Sequence, residues 1–332
     1  MAMSSTWRRS RLAAVGLAAI AVTAACSSGR SSSSSSSASG ATNTTAAGAA
    51  GTIASHLTLG GPPECQQNAF CIPGLQKVYG ITFKDFKALD SDGPLTYQAV
   101  QSGAVDVAEV YSTDAQVVAD NLVVLNDDKH LQAADAITPV IRHRLDTPGV
   151  ATITNKVSAA LTTDILRGLN KSVGVDKEDP QAVADQWLAS VGLATKTLLA
   201  AGVTLTIAGF NFPESNLLAY VYGDALKDAG ATVDIKDDLG ARATLEPGLQ
   251  SGQIDMLIEY AASDLEYLDH SAGLANGDIN NNIAHLKALY GSTIDVLTPS
   301  SAIDTNAFAV TKATAEKYGL VNMSDLTKPF PG

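Results

Sequence analysis

The chain has 332 residues, 45% of them hydrophobic and 17% charged, which is enough apolar material for two domains and too much for a disordered chain. Lys and Arg number 22 against 34 Asp and Glu; four Arg and no acid fall in the first 63 residues, so the rest carries 18 minus 34, or −16, and repels phosphate backbones. Nucleic acid is thereby excluded as a partner. With aromatic residues at 5% and Trp187 the only Trp beyond Trp7, a ligand cage has to be built from Tyr or Phe.

In chain order, Arg8, Arg9 and Arg11 form a basic start, Leu12 to Val22 an apolar run, and Thr23-Ala24-Ala25-Cys26 its close. That is the layout of a signal peptide over residues 1–25, with a run too short to serve as a spanning helix. The Cys behind two Ala resembles the lipobox of bacterial lipoproteins, which implies export and a lipid anchor at Cys26 on the outer face of the cell membrane. Thr23 stands where a bulkier aliphatic residue is usual, and plain secretion is the alternative. Residues 26–51 are almost wholly Ser, Ala, Gly and Thr, a composition that cannot bury enough apolar area to order itself and predicts a flexible tether.

Cys65 and Cys71 follow, six positions apart in a loop rich in Pro, Gln and Asn. In an exported protein such a pair is expected to be oxidised to a disulfide. No C-x-x-C accompanies them and His56, His130, His143, His270 and His285 are scattered, so no metal site is expected.

Gln101-Ser102-Gly103-Ala104-Val105-Asp106 is repeated 149 positions later as Gln250-Ser251-Gly252-Gln253-Ile254-Asp255, each copy running on into a short apolar segment that ends in Tyr, Tyr111 and Tyr260. Each copy reads as a helix end, a Gly where the chain turns left-handed, and a strand whose nearly continuous apolar character suits a sheet covered on both faces. Between and after the copies the pattern alternates. Helices are expected at Thr162 to Asn170 and Pro180 to Ser190, a strand at Val203 to Ala208, a helix at Glu214 to Ala229 and a strand at Thr232 to Ile235. A helix at Ile279 to Leu289, a strand at Ala307 to Thr311 and a helix at Ala313 to Tyr318 complete it. The sum is an α/β protein with two similar sheets. Ligands of such sheets bind beyond the carboxyl ends of the strands, which would bring Tyr111 and Tyr260 across one cleft.

At these residues the sequence resembles a known family. Phe210-Asn211-Phe212-Pro213-Glu214-Ser215, the Gln250 repeat with Glu259-Tyr260, and Asp304-Thr305-Asn306-Ala307 are similar to the first half of glycine betaine/choline/carnitine (quaternary amine) solute-binding proteins of ABC importers. Gly60-Gly61-Pro62-Pro63-Glu64-Cys65, Phe70-Cys71-Ile72-Pro73-Gly74-Leu75, Tyr79-Gly80, Tyr111-Ser112-Thr113-Asp114 and Asn121 to Leu125 resemble the second half, as does Leu161-Thr162-Thr163. The halves stand in reversed order, so the chain resembles a circular permutant in which Val191 to Gly202 joins the old ends. The resemblance implies the two-lobed periplasmic-binding-protein fold (Venus-flytrap, type II) with two hinge strands, near Asn121 to Leu125 and Ala307 to Val310. One lobe would be continuous, 126–308, and the other discontinuous, 52–122 plus 311–332.

A quaternary ammonium has no N–H to donate, so aromatic faces must hold it. The resemblance places Tyr111 and Tyr260 in such a box. It departs at Asn306, where the choline-binding branch has Tyr, and at Asp135, where another Tyr is usual; a direct charge at Asp135 suits a cation that carries N–H donors or lacks a carboxylate. Thr113 and Ser263 are candidate polar wall residues, and Gly61 and Pro62 match the family loop that approaches the cleft. Phe212 is a candidate contact or a core plug, and Ser215 a ligand donor or a helix cap. No nucleophile elbow, P-loop, dinucleotide fingerprint or metalloprotease motif is present, so neither catalysis nor a cofactor is expected. The reading is an extracytoplasmic, monomeric solute-binding component that hands a betaine-type osmolyte to the permease and ATPase of an ABC importer. The alternative is a ligand-sensing receptor domain of the same fold for another cationic or zwitterionic small molecule.

Overall fold

The computed structural model describes residues 51–90, 93–270 and 273–331. The signal segment, the anchor Cys26 and the tether up to residue 50 lie outside the described residues. Among the described residues ten strands follow in chain order: β1 (Thr58–Gly61), β2 (Asp85–Ala88), β3 (Val107–Tyr111), β4 (Leu122–Leu125), β5 (Ile137–Arg142), β6 (Thr204–Ala208), β7 (Thr232–Lys236), β8 (Met256–Tyr260), β9 (Ile294–Val296) and β10 (Asn306–Thr311). Helices fill the intervals. They are α1 (Ile72–Gly74), α2 (Pro94–Gln101), α3 (Ala115–Ala119), α4 (Pro148–Ala160), α5 (Thr163–Gly174), α6 (Pro180–Ser190), α7 (Pro213–Asp228), α8 (Arg242–Ser251), α9 (Ala261–Leu268), α10 (Ile279–Tyr290) and α11 (Lys312–Tyr318).

The strands form two five-stranded sheets, ordered β2-β1-β3-β10-β4 and β7-β6-β8-β5-β9, and the two have one plan. In the first, β1 pairs in parallel with β2 and β3, while β10 runs antiparallel to β3 and β4. In the second, β6 pairs in parallel with β7 and β8, while β5 runs antiparallel to β8 and β9. The reversed strand is in each case the one that arrives from the other sheet: β5 follows β4, and β10 follows β9. The duplicated segments take the same place in their sheets, as β3 and β8. Their glycines, Gly103 and Gly252, sit at φ 73° and 83°, the left-handed turn that only a residue without Cβ takes cheaply.

Both sheets are covered on both faces. Leu59, Val107, Phe308 and Leu326 pack on one side of the first sheet and Val100, Ala108, Val110 and Ala309 on the other. Ile137, Leu205, Ile207, Leu217 and Leu257 belong to the single core of the second. The lobes meet where α5 lies against α3: Arg167 Nε donates to Ser112 O at 2.8 Å and Asn170 Nδ2 to Thr113 O at 2.9 Å.

The crossings lie a few residues outside the expected positions. Leu122–Leu125 and Asn306–Thr311 are paired in the first sheet, with Phe308 opposite both Glu109 and Leu125, so the chain passes between the sheets over residues 126–136 and 297–305. The two crossings are tied to each other: Ile137 N donates to Ala302 O at 3.0 Å and Asp304 N to Asp135 O at 3.0 Å. The beginning and end of the described chain are adjacent. Ile53 N donates to Lys328 O at 2.8 Å, Phe330 N to Gly51 O at 2.7 Å, and the His56 ring stacks on Phe330 at 3.8 Å. Among the described residues no helix is long and apolar enough to cross a membrane.

Candidate functional site

The carboxyl ends of β3 and β8 face a common cleft between the sheets, and a cavity of about 580 Å³ opens there. Four aromatic side chains line it, two carried by each lobe: Phe70 and Tyr111 from the first, Phe212 and Tyr260 from the second. Tyr111 is 42% exposed and Phe212 39% exposed, while Tyr260 keeps only 4% of its surface. Phe212, the residue before α7, approaches the Tyr260 ring at 5.8 Å between centroids and an angle of 45°. Phe70 reaches the cavity because its loop is pinned. Cys65 and Cys71 are joined in a disulfide, and Gln132 Nε2 donates to Phe70 O at 2.8 Å.

The polar walls are acidic. Tyr260 Oη donates to Glu214 Oε1 at 2.7 Å, and Asn170 Nδ2 donates to Glu214 Oε2. Thr113 Oγ1 donates to Asp304 Oδ1 at 2.8 Å. Thr113, Glu214 and Asp304 line a second cavity, of about 300 Å³, which shares Tyr111, Phe212 and Asp304 with the first. Asp135 accepts from Ala262 N at 2.8 Å and Ser263 N at 3.0 Å on one oxygen and from the Ser263 hydroxyl on the other, so it caps the start of α9. Burial pushes Asp135 and Asp304 up to about 7 in spite of these donors, and pushes Glu214 up as well, because a carboxylate taken out of water loses more solvation than a few hydrogen bonds return.

Arg242 is the one base on these walls, and its Nε and Nη2 are spent on Glu259 Oε2 at 3.1 and 2.8 Å. Behind it the carboxylate oxygens of Glu246, Glu259 and Asp264 lie within 4.8 Å of one another. The Tyr290 hydroxyl donates to Asp264 Oδ2 at 2.7 Å and stands 3.1 Å from Glu246 Oε2. Arg242 supplies one positive charge, paired to Glu259, and burial pushes Glu246 and Asp264 toward their protonated forms, so the cluster reads as one ion pair with two neutralised acids behind α8 and β8.

Of the residues singled out in the sequence, Tyr111, Tyr260, Phe212, Asp135, Ser263 and Asn306 meet at the larger cavity and Thr113 at the smaller. Three do not. Ser215 is buried with its Oγ accepting from Phe210 N at 2.9 Å, which closes the turn before α7, so it neither lines the cavity nor caps an N–H of the helix. Gly61 packs against β3, where an added Cβ would come 3.1 Å from Glu109 Cβ, and Pro62 begins the turn behind it; neither lines the cavity. Phe70, Glu214, Asp304 and Arg242 join the cavities without having been expected there from the sequence, although Phe70, Glu214 and Asp304 lie inside the motifs that carry the resemblance. A buried acid has no signature in sequence until the fold shows what surrounds it.

The family described as the substrate binding domain of an ABC-type glycine betaine transport system matches residues 43–190 and 203–331. Curated relatives include the glycine betaine-binding protein YehZ of Escherichia coli, 30% identical over 141 residues that are 40% of this chain and 46% of that protein. The ergothioneine transport permease/ergothioneine binding protein EgtU of Helicobacter pylori is 31% identical over 124 residues, 36% of this chain and 22% of that one. The carnitine transport binding protein OpuCC of Listeria monocytogenes is 30% identical over 117 residues, 34% of this chain and 36% of that one. The matched stretch thus spans less than half the length of each relative. Among solved structures, apo YehZ from Escherichia coli covers 83% of this chain and 86% of its own at 13% identity and a TM-score of 0.36.

Proposed function

The chain belongs to the family of substrate binding domains of ABC-type glycine betaine transport systems, and we propose that it captures a quaternary amine, of the glycine betaine, choline or carnitine type, between its two lobes for delivery to an ABC importer. The observation that carries this reading is the set of four aromatic side chains, two from each lobe, around one cavity whose other charged residues are three acids against one Arg. Each aromatic face held against a cation contributes roughly 0.5–2 kcal/mol. Because the rings come from both lobes, the ligand is held best when the lobes approach, which is the differential contact that favours the closed form over the open one. The partners of a monomer of this kind are the permease and ATPase subunits of the importer, with export and a lipid at Cys26 keeping it beside them on the outer face of the membrane. Osmoprotection is the use that such solutes suit.

The permuted order belongs to the same reading. Its support is that the family match breaks off at 190 and resumes at 203, and that the first and last described segments are hydrogen-bonded neighbours.

The test is calorimetry with glycine betaine, choline and carnitine on the intact protein and on the Tyr111→Ala/Phe212→Ala double variant. Both side chains are well exposed, so the variant should keep its thermal midpoint and lose binding of whichever amine the parent takes. Unchanged affinity would refute the site.

A further inference from the structure

The two cavities share Asp304, which stands on the crossing between the sheets just before β10. The larger cavity counts Asp135, Glu266 and Asp304 on its walls against Arg242; the smaller counts Asp114, Glu214 and Asp304 against no base. Arg242 gives two of its five N–H donors to Glu259 and has its charge balanced by that buried carboxylate, so a carboxylate entering the cleft meets three acids against one already paired charge. A cation meets the same acids as attraction, strengthened by the low dielectric of a closing cleft.

We infer that Asp304, backed by Glu214, is the specificity-determining charge of this cleft, and that it selects amine cations that carry no carboxylate over the zwitterionic betaines. The inference rests on the amine-capturing reading above and narrows it. Glu214 lies directly behind Asp304 and is held by Tyr260 and Asn170, while Thr113 binds Asp304 itself. The other titratable groups facing Asp304 are Asp114 from the segment before α3, Asp135 from the second crossing and Tyr260 from β8; Arg242 acts on Asp135 from α8. Acids so placed, without a base of their own, hold a proton or accept a cation. Burial brings Asp304 to about 7, so an entering cation displaces a proton there. A cation favours the ionised acid, so its affinity rises with pH through about 7 and levels off above, while the net-neutral betaine gains little.

Titration calorimetry on the intact protein with choline chloride and with glycine betaine, at about pH 6 and about pH 8, tests this. Choline should bind tighter than glycine betaine by roughly tenfold or more, and tighter at the higher pH, with proton release read from two buffers of different ionisation enthalpy. Asp304→Asn should narrow the preference to within about threefold and flatten the pH dependence, with a melting midpoint no lower than the parent's. Glycine betaine binding as tightly as choline, or a choline affinity flat across this pH range in the parent protein, overturns the charge selection and leaves amine capture standing. Failure of choline, glycine betaine and carnitine alike to bind overturns amine capture itself.

Discussion

Tyr111 and Tyr260 end equivalent strands, yet their surroundings divide the work between them. Tyr260 is sealed, and its hydroxyl is one of two donors to Glu214, with Asn170 the other; Tyr111 is 42% exposed at the opposite rim. Tyr260→Phe keeps the aromatic face and removes the donor, so it should leave amine affinity within a few-fold and lower stability by about 1–3 kcal/mol by chemical denaturation, because a buried carboxyl is left short of a partner. Phe70→Ala should do the reverse. The side chain is half-buried in a loop, so the melting curve should hold while affinity falls by roughly 0.5–2 kcal/mol, the worth of one cation–π face. The paired tyrosines were legible because they recur at the end of a repeated segment. Phe70 was not, because nothing in a loop reports which way a ring faces until the disulfide and the Gln132 bond fix it.

Among the elements, those with a clean period are where the sequence puts them. Pro180–Ser190 forms α6 over its expected range, and Thr204–Ala208 and Pro213–Asp228 fall within a residue of theirs. Strand β5 is different. Pro139 sits in its middle, paired across from Ile258, and a proline with no N–H argues against a central strand unless the neighbour on that side is short, as three-residue β9 is. Helix α9 depends on a residue far away in sequence. Asp135 takes two of its first N–H groups, so Asp135→Ala should lower stability by about 1–2 kcal/mol in denaturant melts, as loss of an N-terminal cap does. The charge expected at Asp135 is therefore largely committed to holding α9, and Asp304 carries the part assigned to it.

For the whole molecule the buried acids set the pH behaviour. Glu109, Asp135 and Asp304 are each raised to about 7 by burial, so the folded state favours their protonated forms; that stability is full below the ordinary carboxyl range and is lost as pH rises through about 7. Asp325 acts in the opposite sense, lowered by the backbone N–H of Asn322, and its contribution is lost only as pH falls below the ordinary Asp value. Without ligand, the thermal midpoint should therefore be higher near pH 5 than near pH 8, and a bound cation should restore most of the deficit at the higher pH. The adjoining chain ends carry a second expectation. A chain reopened within residues 191–195, ahead of the bonds of Thr197 and Ala200 to the end of α7, and closed by a short linker between residues 331 and 51 should fold and bind with the parent's affinity, since no helix or strand is cut.

The sequence by itself determined the duplicated α/β plan and the family, because helix and strand periods, the left-handed glycines and the paired tyrosines are local signals that a linear pattern carries. It also determined the chemistry available: Tyr and Phe in place of Trp, and an excess of acid. Only the tertiary structure decided which acids face the cleft, that Asp135 is a cap, that Phe70 joins the rings, and that Ser215, Gly61 and Pro62 stand behind the walls. Burial and partnership belong to residues brought together from distant parts of the chain, and the desolvation that turns an ordinary carboxyl into a charge-selecting one exists only after they meet.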